Sequence, residues 1–466
     1  MATTLPRSFA LSIAASLICA ASLSSAVYEE TVVIDVDQPI CRSFLGFGAE
    51  WDPKFWTMGT FEFKKDVAGP VAVDEADWEL VRKRLTWMRV KLVRMMMLTG
   101  WCTTGDGTFT YDNAHMRSLF RHLDLCREEG IEVILVDWGV ASWTKIDGFT
   151  GTDDPRYAQA IGEYLEELIV RRKYDCIRSL TLVNEPNLEA ESFERWRDGV
   201  RAVRAELAKR GLAERVRLVG SDDCSPPYPW HKRALAEMPD DFAAWEVHRY
   251  ATQKVVESGS LEDDFRALST ASRAHDASKP FLVCEAGMSD GMSAGQSPFI
   301  QDPIYGLFMA DYAVQACRGG CDAVLAWMLE DNSHAGFTWG MWTNKAEGMA
   351  LKPWFWTWSL LCRTVPRGSQ LFAPAQPDGI RVLTARHDGR WTAVIVNRRD
   401  VAVDVRVVLP GAQGRPLCRY VSAGDVRAVD GDGFPMPTGE PLAADAADGV
   451  VIGCPPQSAV VATAME

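Results

Sequence analysis

Two carboxylates in this 466-residue chain stand where apolar runs stop. Ile177-Arg-Ser-Leu-Thr-Leu-Val183 runs into Asn184-Glu185-Pro186-Asn187. Pro186 has no N–H for a sheet ladder, so pairing must end there and leave Glu185 at the carboxyl end of a strand. Pro280-Phe-Leu-Val-Cys284 ends in the same way at Glu285. In a parallel barrel every strand end points at one cleft, and two acids meeting there can break a glycosidic bond. One gives its proton to the leaving oxygen while the other, ionised, attacks the anomeric carbon or stabilises its charge. In the retaining form of that reaction the two lie ~5–5.5 Å apart. Trp327-Met-Leu-Glu330-Asp331 also ends in acid, so Glu330 competes with Glu285 for the nucleophile's place.

Such a pair works only if the chain alternates strands with helices, and the pattern does so. Phe44 to Ala49 reads as a first barrel strand with glycines for close approach, ending in Glu50-Trp51-Asp52-Pro53. Strands are then expected at 90–98, 131–136, 177–183, 216–220, 243–247, 281–284 and 323–329. Between them the spacing predicts helices over 77–84, 113–129, 155–172, 191–210, 231–238, 261–275 and 304–318, the second closed by Gly130. Eight such units in about 320 residues favour a closed (β/α)8 barrel, an α/β TIM barrel, over an open doubly wound sheet. No Gly-rich dinucleotide fingerprint follows the first strand, which speaks against the open alternative. From about Gly368 short alternating segments separated by Pro, Gly and Asp read as an antiparallel β-sandwich. Residues 27–367 are therefore read as the barrel domain and 368–466 as the sandwich. Asp430-Gly-Asp-Gly433 resembles a calcium loop, but Phe434 stands where the next oxygen ligand belongs, so it reads as a hairpin turn.

Residues 1–26 carry Arg7, an apolar run from Phe9 to Leu23, and small residues at Ser24 and Ala26. This is the pattern of a secretory signal peptide cleaved after Ala26, and it predicts a secreted or periplasmic protein. Ser16 replaces the Leu that a lipoprotein signal would place before Cys19. No later apolar stretch is long enough to span a bilayer, so membrane insertion of the mature chain is not expected. The net charge is −14 and becomes more negative once Arg7 is removed, which disfavours nucleic acid and anionic membrane as partners. Twelve cysteines, one of them in the leader, do not form a disulfide framework, although Cys317 with Cys321, or Cys102, leaves room for one or two bridges. No zinc spacing is present, and neither a metal nor an organic cofactor is expected.

The motifs resemble those of clan A retaining glycoside hydrolases, the group that includes families 5, 30, 39 and 51. The resemblance covers about residues 31 to 466 and implies a retaining β-glycosidase acting on a poly- or oligosaccharide. By matching Asn-Glu at the fourth strand end it implies Glu185 as acid/base, with Asn184 on the sugar 2-hydroxyl. By position it implies Glu285 as nucleophile and Arg94 as the second-strand arginine that keeps the nucleophile ionised. His248-Arg249-Tyr250 resembles the sixth-strand motif whose Tyr contacts the nucleophile, and Trp327 resembles the eighth-strand platform. In families 30 and 39 a first strand joins the terminal sandwich, which implies the same for residues 31–37. Trp51 and Trp138 near strand ends suit stacking on sugar rings, and Asp52 suits hydrogen bonding to hydroxyls. Asp222 and Asp223 hold similar rim positions. Two other readings are a carbohydrate-binding protein on an inactive scaffold and a metal-dependent hydrolase using His248 and Asp222.

Overall fold

A computed structural model describes residues 28–53, 73–138, 144–293, 295–332, 337–444 and 449–465. The leader expected at 1–26 lies outside them. Eight parallel strands close into a barrel in sequence order: β2 (Gly46–Trp51), β3 (Leu92–Met97), β4 (Glu132–Asp137), β5 (Ile177–Leu182), β6 (Arg217–Asp223), β7 (Ala244–Ala251), β8 (Phe281–Met288) and β9 (Ala323–Ala326). The apolar runs become strands because helices cover their outer faces while the barrel interior buries the inner ones; β2, β3 and β8 are buried along their whole length. Inside the barrel, Leu92, Ile134, Val219, Ala244, Leu282, Cys284, Ala323 and Leu325 form one apolar cluster. Their neighbours in sequence, such as Val93 and Val133, belong to the larger core between strands and helices.

Helix boundaries follow their caps. Asn113 accepts a hydrogen bond from the Met116 N–H to start the helix Ala114–Glu129, and Gly130 ends it at φ 63°. The expected helix over 155–172 is α-helical only over Pro155–Leu165 and continues as a π-helical segment over Glu166–Arg171. The last barrel strand stops at Ala326, so Trp327, Met328 and Leu329 form the loop above it.

The second unit is a pair of sheets. A six-stranded antiparallel sheet runs β10-β11-β12-β17-β14-β15, from β10 (Gln370–Phe372), β11 (Ile380–His387), β12 (Arg390–Asn397), β14 (Cys418–Ala423), β15 (Val426–Arg427) and β17 (Ser458–Thr463). It faces a three-stranded sheet of β1 (Tyr28–Val33), β13 (Val403–Val408) and β16 (Val450–Cys454) across an apolar core that includes Val382, Ile395, Val405 and Ile452. The N-terminal strand is the exception to the antiparallel pattern, because β1 lies parallel to β13. Trp356, one of three close tryptophans in the helix Pro353–Thr364, donates its indole N–H to the Ala428 carbonyl and ties barrel to sandwich. Trp354 and Trp358 are fully buried. The stretch at Asp430 is a turn in which the Asp430 carboxylate accepts from the Asp432 and Phe434 amides. Among the described residues every cysteine is a free thiol, Cys102, Cys317 and Cys321 included, so the bridges considered from sequence do not form. No described helix is long and apolar enough to cross a membrane.

Candidate active site

The site is assembled at the carboxyl ends of the barrel strands around one buried guanidinium. Arg94 on β3 is fully buried, and its terminal nitrogens meet side chains from four other strand ends. Nη1 donates to Glu285 Oε1 at 2.9 Å and to Glu50 Oε2 at 3.0 Å. Nη2 donates to Asn184 Oδ1 at 2.7 Å and to Asp222 Oδ2 at 2.9 Å. Burial works against its charge, but Asp222, Glu50 and Glu285 outweigh that and hold it firmly protonated.

Backbone bends aim the acids. Beyond β5 the chain takes left-handed conformations at Val183 (φ 68°) and Glu185 (φ 46°), costly for a β-branched residue and repaid by the contacts they allow. The Glu185 amide then reaches Asp222 Oδ2 at 3.0 Å, and its side chain stays 23% exposed, against 5% for Glu285. Asp222 turns at φ 60° toward Arg94, while Asp223 faces the other way and accepts from the amides of Ser225, Trp230 and His231. Asp223 is thus a structural cap.

His248 and Tyr250 alternate on one face of β7, beside Glu285 in register. Tyr250 Oη donates to Glu285 Oε2 at 2.8 Å. His248 Nδ1 lies 2.9 Å from Glu185 Oε1 and 3.4 Å from Glu285 Oε2, and Nε2 lies 2.7 Å from Asp222 Oδ1. Burial disfavours its charge, yet Asp222 and Glu285 more than offset this and raise it well above the ordinary imidazole range. Asp222 is pulled the other way: burial would raise it, but Arg94 and His248 bring it to about 2. Burial raises the Glu285 carboxyl, opposed by His248 and Arg94 and reinforced by Glu185.

The facing atoms of Glu185, His248 and Glu285 all lie within 4.8 Å of one another. A metal could use that spacing. In this structure the same atoms are engaged with one another, His248 Nδ1 lying 2.9 Å from Glu185 Oε1 and 3.4 Å from Glu285 Oε2. His248 and Asp222, the pair considered for metal-dependent hydrolysis, instead bind each other.

A cleft of about 300 Å³ opens above this cluster, lined by Asn184, Glu185, Tyr250 and Glu285 together with Trp138, Trp327, Phe337 and Trp339. No protein-family model matches the chain, and no curated protein matches it. Solved structures do. The catalytic domain of GH30 xylanase C from Talaromyces cellulolyticus superposes with a TM-score of 0.66 at 12% identity, covering 93% of this chain and 99% of that one. A family 51 α-L-arabinofuranosidase from Bifidobacterium longum gives 0.62 at 14%, with 93% and 99% covered. A glucosidase from Croceicoccus marinus gives 0.65 at 10%, with 94% and 98% covered. The chain shares with these structures a closed eight-stranded barrel joined to a β-sandwich.

Within that fold the structure brings Glu185, Glu285, Arg94, Asn184, His248 and Tyr250 into one hydrogen-bonded cluster, and it puts Trp138 and Trp327 on the cleft wall. Trp51 and Asp52 are not part of that wall. Trp51 is fully buried, stacked on Trp78 at 6.0 Å with its N–H 3.0 Å from Glu330, so it is a core residue and no sugar can reach it. Asp52 is buried at 3% exposure beside it. Glu330 lies away from the cleft, with its two oxygens accepting from the indoles of Trp51 and Trp342 at 3.0 and 3.3 Å; burial raises it well above the carboxylate range. Glu50 is not among the residues to which the sequence motifs point. Its one signal was an acid directly after the buried Gly-Phe-Gly-Ala run.

Proposed function

We propose that the chain is a secreted retaining β-glycoside hydrolase in which Glu285 is the nucleophile and Glu185 the acid/base. The observation that supports this most is the pairing of the two carboxylates within 4.8 Å, with Arg94 and Tyr250 both donating to Glu285. Those donors favour the ionised form that must attack the anomeric carbon. Glu185, the more exposed of the two, gives a proton to the departing glycosidic oxygen as Glu285 forms the glycosyl ester. It then takes a proton from the water that opens that ester, so the sugar leaves with its original configuration. Asn184, whose carbonyl oxygen is committed to Arg94, has its NH2 left for a sugar hydroxyl. The cleft tryptophans supply flat apolar faces for a pyranose ring. Secretion rests on the leader pattern at 1–26.

The test is hydrolysis of a panel of activated aryl β-glycosides by the wild type, Glu185→Ala and Glu285→Ala. Glu285→Ala should lose on the order of 10⁴-fold in turnover and recover with azide as an α-glycosyl azide. Glu185→Ala should keep its first step on good leaving groups and give a β-glycosyl azide. Undiminished turnover in Glu285→Ala would overturn the assignment.

A further inference from the structure

Four carboxyl groups, Glu50, Asp222, Glu285 and Glu185, surround two cations, Arg94 and His248. Two negative charges in excess cannot all be kept in a water-poor site, and a buried acid sheds such excess by holding a proton. Of the four that touch these cations, Glu50 has the fewest claims on the charged form; Glu246, also fully buried, touches neither cation and accepts from the Thr181 hydroxyl and the Cys284 thiol. The Glu50 side chain is fully buried, and only Oε2 has a partner, Arg94 Nη1 at 3.0 Å. Oε1 is buried with no hydrogen-bond partner among the described residues. Glu285 has a donor on each oxygen, Asp222 has Arg94, His248 and the Glu185 amide, and Glu185 has His248. A bare carboxylate oxygen in such a place is far costlier than a bare hydroxyl.

We propose that Glu50 is the residue on which the cluster keeps its excess proton, and that this leaves the full charge of Arg94 to Glu285. Arg94 Nη1 serves both acids, so an ionised Glu50 would compete with Glu285 for the same nitrogen. Glu50 touches no part of the cleft and acts through Arg94, its register partner on β3; it is a positioning residue. The groups that face it are Arg94 from β3, Glu285 from β8 and Asp52 just beyond its own strand. Asp222 and His248 reach it through Arg94, and β9, on its other side, carries no titratable residue over Ala323–Ala326. Burial, reinforced by Glu285, raises Glu50 to about 8 despite Arg94, in keeping with the geometry.

This role rests on the glycosidase reading, but it has a readout that does not. An acid whose folded value is raised contributes stability that is present below its unfolded value and lost as pH rises through the folded one. Urea unfolding of the wild type and Glu50→Gln should therefore diverge from about pH 5 to pH 8, with the wild type losing stability relative to the variant. On aryl glycosides Glu50→Gln should lose no more than about tenfold in kcat and keep the acidic limb of its rate profile within ~0.3 pH unit. Parallel stabilities across that range, or an acidic limb moved down by about a unit or more, would place the proton on another acid and overturn the proposal. If Glu50→Gln does not fold, Glu50→Met, equally neutral, is read in the same way. A wild type that cleaves no glycoside sinks the enzyme reading, and the unfolding comparison still decides Glu50.

Discussion

His248 Nδ1 lies 2.9 Å from Glu185 Oε1, and its other nitrogen is anchored 2.7 Å from Asp222. An imidazole in that position orients the carboxyl of Glu185, the proposed acid/base, while Asp222 fixes the ring. His248→Asn should cut kcat about 100-fold, with the deficit larger for phenyl glycosides than for dinitrophenyl glycosides, because poor leaving groups need the proton more. His248 is held well above its ordinary value, so its contribution to stability is fully present below pH ~6.5 and lost as pH rises through the folded value. The stability gap between wild type and His248→Asn, measured by urea unfolding, should therefore be wider at pH 6 than at pH 9.5.

Glu330 offers a sharp contrast with Glu285. Both acids end apolar runs, but Glu330 is clamped between two indole N–H groups outside the cleft, and burial raises it well above the carboxylate range. Glu330→Gln keeps the shape and one acceptor but sets its NH2 against the other indole N–H, so it should lose stability while keeping turnover within about threefold, with no response to azide. Glu285→Gln should lose on the order of 10⁴-fold. Equal losses in the two variants would reopen the choice of nucleophile.

The contrast shows why some of the site was legible in the sequence and some was not. A run of apolar residues stopped by Asn-Glu-Pro announces a strand end, and a lone Arg within Leu-Val-Arg-Met must find acids once buried. Which side of a strand a residue faces is harder to read when both faces are apolar. On β2 the alternation turns Glu50 inward to Arg94 and Trp51 outward to Trp78, so the rim position of Trp51 suggested a platform that the pleat denies it. Asp222 and Asp223 are indistinguishable as neighbours in sequence. Only the left-handed turn at Asp222 sends one to the guanidinium and the other to a helix start. Trp327-Met-Leu329 continues the apolar run of β9, so the pattern extends the strand to Leu329, where the structure has a loop.

Gly48 is a stability test of β2. A Cβ built there would stand 2.1 Å from the Leu92 carbonyl oxygen, a backbone atom of the adjacent strand that cannot move aside without shifting the ladder that pairs Glu50 with Arg94. Gly48→Ala should cost about 2–3 kcal/mol in urea unfolding and also lower kcat. Full stability in that variant would mean that β2 can slide against β3 more freely than the register implies.

The aromatic wall of the cleft makes a separable prediction about binding. Trp138 is only half-buried, whereas Trp327 and Trp339 are 6% and 2% exposed and lean on Phe337 and Tyr250 respectively. Trp138 can therefore give up a stacking face without disturbing Glu285, the proposed nucleophile, but Trp339 packs at 5.8 Å against the tyrosine that donates to Glu285. Trp138→Ala should raise KM about tenfold, near 1.4 kcal/mol, and leave kcat nearly unchanged. Trp339→Ala should lower kcat as well, because Tyr250 loses the ring that holds its hydroxyl in place. Steady-state kinetics on one aryl glycoside separates the two. A Trp138→Ala variant that loses kcat with KM unmoved would place its contact in the transition state and not in ground-state binding.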